Sequence, residues 1–392
     1  MTRVDPCARL RVALIAGGLS QGGAEKQFVY MARALHERGV DVRCYSLTRG
    51  DFYEAALKDM GLEPIWIGRF GAPALRLLRL GRLLRAFAPH VVQAGHFFAN
   101  LYAALGARAC GAVSIGSIRN DGVFELRENK GWGPLLLRLP TTLIANSHAG
   151  AREAQARGRT QEDITIVPNV IDLGEFDAVQ TALSLRLEPS RPLAIAVGRL
   201  VRQKRFDRLL AALALARRTA PDLDLVIVGD GPERGVLERE AARLGLGDTA
   251  VRFLGGRVDV PALLRQADFL VSSSDHEGFP NVLLEAMAAR LPAIATEAGD
   301  VASILLPGVT GYVVPTDDVA QLADRMVALA RAAGTRRAMG QAARKRVELM
   351  YRDSTLADKM LAAYQSAALR LGSGPAWREP GLTPSTSRIS AR

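Results

Sequence analysis

The chain has 392 residues, 48% of them hydrophobic and 23% charged, a globular composition too long for one ordinary core and suited to two domains. No apolar run approaches the roughly 20 residues that span a bilayer. The net charge of +11 fits an anionic membrane surface or an arginine-rich composition, while the lack of clustered aromatics or a reader motif excludes nucleic acid as a partner.

The N-terminus, MTRVDPCARLRVALIAGG, has the basic-then-apolar order of a signal peptide. Its apolar run is short and ends in Gly17–Gly18, which reads as a first strand instead. Cys7, Cys44 and Cys110 are few, scattered and odd in number, so neither a disulfide framework nor a zinc site is expected, and a cytoplasmic location follows. The strand Arg11 to Ala16 leads into the turn GGLSQGGAEKQ and a helix from about Ala24 to Arg38. Glycines there let the backbone approach a ligand. The spacing is not G-x-G-x-x-G, and no acidic residue ends the next strand, VRCYSL, which disfavours a dinucleotide.

Further strands at Pro64–Ile67, Val91–Ala94, Ser114–Ile118 and Thr142–Asn146 alternate with helical patterns, the signature of a parallel sheet covered on both faces. Functional residues then belong at strand carboxyl ends, where His96, Arg119 and Asn146–Ser147 stand. His96 has two readings: a ring that hydrogen-bonds a donor-sugar or acceptor hydroxyl, or packing beside Phe97 and Phe98. Leu75 to Phe87 spaces Arg76, Arg79, Arg82 and Arg85 every third residue between leucines. That pattern suits a helix lying on anionic headgroups, or a surface helix whose arginine stems cover a domain edge.

Phe176 to Arg191 carries no clear pattern and reads as a linker. The alternation resumes with the strand Leu193–Val197, whose loop places Arg199 and Lys204 where two cations can hold a diphosphate. Strands follow at Leu223–Val228 and Val251–Leu254; Asp222 and Asp224 lie at a strand start, the wrong end for a metal site. Ala267–Val271 is the next strand, then a loop with Gly278 and Pro280, then an amphipathic helix. Glu277 and Glu285 return to nearly the same side after two turns, beside the unpaired N–H groups of a helix that starts at Pro280–Asn281. Carboxylates for hydroxyls beside amides for phosphate oxygens suit a nucleotide-sugar. The strand Pro292–Thr296 and helices at Val319–Ala332, Thr335–Met350 and Ser354–Leu371 complete the series, and the Pro-, Ser-, Gly- and Arg-rich tail is expected to be disordered.

The run E-G-F-P-N-x-x-x-E-A-M-A from Glu277, with G-R-L-x-x-x-K-x-x-x-x-L-L from Gly198 and ITIVPNVID at Ile164–Asp172, resembles the family-four retaining glycosyltransferases with their E-x7-E signature. The resemblance implies the GT-B fold, two doubly wound α/β domains facing across a cleft. Residues 1–175 would form the acceptor-side domain and 190–351 the nucleotide-sugar domain. A helix at 352–371 would cross back, and 372–392 would be tail. Glu277 would contact the donor sugar, Glu285 the ribose, and Arg199 and Lys204 the diphosphate. Gly22 and Gly23 would face donor phosphate and acceptor, Arg257 and Val258 the base, and Gly278, Phe279, Pro280 and Asn281 would wrap the donor. The implied reaction is metal-independent transfer from a UDP- or GDP-sugar, with retention, to a glycan or lipid-linked acceptor. A nucleotide-sugar epimerase and a non-catalytic nucleotide-sugar binder are the alternatives. Two departures stand out: Gln93 and Gly95 precede His96 where a His-x-His pair is common, and Ala302 and Ser303 replace a glutamate after paired glycines.

Overall fold

The computed structural model describes residues 9–370 apart from 69–70, 179–184, 186–187 and 189. Most of the expected linker and the whole tail lie outside the described residues. Two all-parallel sheets organise the chain. The first contains β1 (Arg11–Ala16), β2 (Asp41–Ser46), β3 (Ile65–Trp66), β4 (Val91–Ala94), β5 (Val113–Ile118), β6 (Thr142–Ala145) and β7 (Ile164–Ile166), in the order 3-2-1-4-5-6-7. The second contains β8 (Leu193–Val197), β9 (Asp224–Val228), β10 (Val251–Phe253), β11 (Phe269–Ser272), β12 (Ala293–Thr296) and β13 (Gly311–Val314), in the order 10-9-8-11-12-13. Each sheet reverses its winding once, between β1 and β4 and between β8 and β11. A ligand-binding crevice forms outside the carboxyl ends at such a reversal.

The strands are apolar along their length because helices cover both faces. In the first domain, one face packs Leu14, Val91 and Ile115 against Phe28, Met31 and Leu35, while the other packs Ile15, Val92 and Ala94 against Leu80, Leu84 and Ala103. The helix Pro73–Phe87 turns Leu80, Gly81, Leu84 and Phe87 inward. Its outward face carries Leu75 and Leu78, each about half exposed, with Arg82 and Arg85. Asp224, at the start of β9, is locked between Arg191 at 2.5 Å and Arg217 at 3.3 Å. The strand β13 has no counterpart in the sequence reading; it is four residues long and follows a Pro-Gly-Val-Thr turn that masks its period.

The chain crosses between domains twice, side by side. Ile171 bridges to Arg352 in parallel register: its N–H donates to the Tyr351 carbonyl, and its carbonyl accepts from Asp353. Arg33, on the helix Gly23–Glu37, reaches both crossings, pairing with Asp172 at 2.9 Å and Asp353 at 2.6 Å. The final helix, Leu356–Arg370, then buries Met360, Leu361, Tyr364 and Ala367 in the first domain's core. Tyr364 donates its hydroxyl to the Gln93 side chain, and Gln93 is wholly buried. Replacing Tyr364 with Phe strands that oxygen. The expected loss is about 1–3 kcal/mol, read as a lower denaturant midpoint at unchanged slope.

Candidate active site between the two domains

The loops at the two winding reversals face each other across a cavity of about 580 Å³. From the first domain come the glycine turn after β1 and the loops ending β5, β6 and β7; from the second come the loops after β8, β10 and β11. Arg199, Lys204, Glu277 and Glu285 all line it. So do Gly22, Gly23, Arg257, Val258, Gly278, Phe279, Pro280 and Asn281.

Glu277 is buried and ion-pairs with Lys204, 73 positions away in sequence, while the Ser274 hydroxyl donates to the same carboxylate oxygen at 2.7 Å. A buried carboxylate needs such partners, because each unpaired buried charge costs several kcal/mol. Lys204 ends a single 3-10 turn, after which Arg205 in the left-handed region opens the helix Phe206–Arg217. Arg205 turns to Asp207 and Asp275, both at 3.0 Å, and does not line the cavity. Arg199 is exposed, lines the cavity, and makes no side-chain hydrogen bond or ion pair among the described residues.

The helix Asn281–Ala288 begins at Pro280, so its first N–H groups open toward the cavity wall. Asn281 accepts from Asn169 at 2.9 Å and from Gln27 at 3.2 Å. Gly23 packs against its amide so closely that a Cβ would lie 2.3 Å from Nδ2, and only glycine fits there. Glu285 lies deeper. Burial raises its pKa, opposed by Lys26 at 3.7 Å; Lys26 also pairs with Glu175 at 2.8 Å. Burial pulls the Lys26 ammonium down, but those carboxylates outweigh it and the net direction is up.

Arg257 folds its guanidinium onto Asp259, and its carbonyl accepts from the Gln21 side chain of the other domain at 2.8 Å. Val258 stands at the rim, 71% exposed. His96 does not line the cavity. Its Nδ1 accepts from the Gly17 N–H at 3.2 Å, its Nε2 lies 3.5 Å from Glu25, and its ring stacks on Phe98. Sequence reasoning passed over Lys26, Asn169 and Glu175. The cation in the first turn after the glycines was the available signal for Lys26, and the asparagine of the VPN hinge for Asn169.

A second grip holds the domains on the far side of the loop. The Asp300 carboxylate accepts from the His148 N–H at 2.6 Å and the Ala149 N–H at 3.0 Å, capping the helix His148–Ala156 of the other domain. His276 meets Asp121 at 2.8 Å alongside.

Residues 184–346 match the family described as "Glycosyl transferases group 1", and residues 21–175 match "Glycosyltransferase Family 4". The lipopolysaccharide core biosynthesis glycosyltransferase LpsD of Rhizobium meliloti is 30% identical over 284 residues, covering 71% of this chain and 76% of that one. The N-acetyl-alpha-D-glucosaminyl L-malate synthase of Bacillus anthracis is also 30% identical, over 57% of this chain and 58% of the relative. Among solved structures, Anabaena HepE in complex with UDP-glucose superposes with a TM-score of 0.78 at 18% identity, over 91% of this chain and 100% of that one. The fold is therefore GT-B. The chain belongs to the family-four, group 1 glycosyltransferases and is a transferase.

The loop after β5 is fastened by Glu125, whose Oε1 accepts from the Arg119 N–H at 2.9 Å. Burial pushes the Glu125 carboxyl up to about 7. A raised acid contributes stability below its unfolded pKa and loses it as pH rises through the folded one. Glu125→Gln keeps the amide contact and removes the charge. It is expected to melt ~2–5 °C above the wild type at pH 8, the gap closing as pH falls toward 4.5.

Proposed function

We propose that this glycosyltransferase moves a sugar from a nucleoside-diphosphate sugar to a glycan or lipid-linked acceptor, with retention at the anomeric carbon and without a metal ion. The observation that carries the reading is the Lys204–Glu277 pair with Arg199 at the second domain's winding reversal. Two cations beside a helix N-terminus stabilise charge that grows on a departing diphosphate. In this reading Glu277 accepts from donor-sugar hydroxyls and Glu285 from the ribose. As the anomeric C–O bond to phosphate breaks, the acceptor oxygen bonds to that carbon on the same face, and its proton passes to the leaving phosphate oxygen. Closure of the cavity keeps water from intercepting the sugar.

The relatives favour a cell-surface role. LpsD is named for lipopolysaccharide core synthesis, and a Mycobacterium tuberculosis relative, 35% identical over 55% of this chain, for phosphatidylinositol mannoside synthesis. No helix among the described residues is long and apolar enough to cross a membrane. The face of Pro73–Phe87 carrying Leu75, Leu78, Arg82 and Arg85 suits peripheral attachment to an anionic inner leaflet.

Lys204→Ala and Glu277→Ala are each expected to lower kcat about 100-fold or more while the protein stays folded. Nuclear magnetic resonance of the product should show the donor's anomeric configuration, and a chelator should leave the rate unchanged. Full activity in either variant, or an inverted product, defeats the assignment. In co-sedimentation, Leu75→Glu with Leu78→Glu is expected to abolish binding to phosphatidylglycerol vesicles; retained binding refutes membrane attachment through this face.

A further inference from the structure

At the first domain's end of the cavity, two side-chain atoms on neighbouring strand ends are sealed from solvent and lack partners. They are Arg119 Nε, after β5, and Asn146 Oδ1, after β6. Both residues line the cavity. The orientation of the Asn146 amide is fixed by its other end, because Nδ2 donates to the Arg119 carbonyl at 3.0 Å. That leaves the oxygen as an acceptor without a donor.

Arg119 is the more telling of the two. Glu125 is the carboxylate placed to neutralise it. Glu125 spends Oε1 on the Arg119 backbone N–H, its Oε2 has no partner, and no ion pair joins the two side chains. A guanidinium nitrogen sealed without a partner is costly, and an anion bound beside it would offset that cost. The place is the sugar end of the cavity. Gly278, next to Glu277, lies so close to this wall that a Cβ on it would meet Asn120 Cα at 2.8 Å and Asn146 Oδ1 at 2.9 Å. The nucleotide end, by contrast, is marked by Arg257 and Glu285.

We propose that Arg119 and Asn146 form a subsite for an acidic sugar, Arg119 binding its carboxylate or phosphate and Asn146 Oδ1 accepting from a ring hydroxyl. The proposal rests on the donor reading above, and the anion can arrive on the donor sugar or on the acceptor. Arginine is suited to both anions because its planar fork binds them bidentately.

Calorimetric titration separates the sources. UDP and GDP are titrated first, then UDP-glucuronate against UDP-glucose and GDP-mannuronate against GDP-mannose. With nucleoside diphosphate saturating, glucuronate and glucose 6-phosphate are then compared with glucose. An acid preference of at least tenfold is expected in one arm: the nucleotide-sugar arm assigns the anion to the donor, the free-sugar arm to the acceptor. Arg119→Met should abolish the preference and leave the nucleoside diphosphate affinity within twofold, while Arg119→Lys keeps part of it. Nucleotide binding with no acid preference, or a preference that survives Arg119→Met, overturns the proposal alone. Failure of both UDP and GDP to bind overturns the donor reading and this proposal with it. Arg119→Met that melts lower than the wild type yet binds acids as well would place Arg119 in the fold and not in the subsite.

Discussion

One amide joins the architecture together. Asn281 opens the helix that carries Glu285, and its oxygen accepts from Gln27 on the first domain's leading helix and from Asn169 at the end of the β7 segment. Asn169 also donates to the Phe279 carbonyl at 2.8 Å, so the second domain's loop and the first domain share one polar knot. Asn169 is buried with both ends of its amide bonded, and such a group tolerates little displacement. The glycine turn can press against this knot only because Gly23 has no side chain. The position of the helix N-terminus over the cavity follows from these contacts.

Cations and carboxylates stand together in the cavity, which Lys26, Arg199 and Lys204 line with Glu277 and Glu285. Each of these carboxylates is matched by a lysine: Glu277 by Lys204 within the second domain, Glu285 by Lys26 from the first. The first pair is built into one domain and does not depend on closure. The second spans the cleft, so Glu285 is less stabilised whenever the domains part.

Much of this was readable in the chain, because the carboxyl-end loops of parallel strands are short and keep their functional residues adjacent in sequence. The loop from Glu277 to Asn281 and the loop from Arg199 to Lys204 are such local signals, and β-α alternation gave the two sheets. What stayed illegible is non-local. Lys26 meets Glu285 and Glu175 only through folding, and no spacing announces a contact across that distance. Asp300 reads as an ordinary turn residue, yet it caps a helix 152 positions away. His96 is adjacent to a strand end, but the stack on Phe98 and the Gly17 N–H hold it outside the cavity wall. β13 was passed over because four residues carry too little period to stand out from the turn before them.

The paired crossings at Ile171 and Arg352 have a mechanical consequence. Two chain segments running abreast, hydrogen-bonded to each other and riveted by Arg33 to the leading helix, resemble the knuckles of a door hinge. They permit swinging about a single line and resist sliding or twisting. Any parting of the lobes would turn about that line and draw Asn281 away from its seat against Gly23.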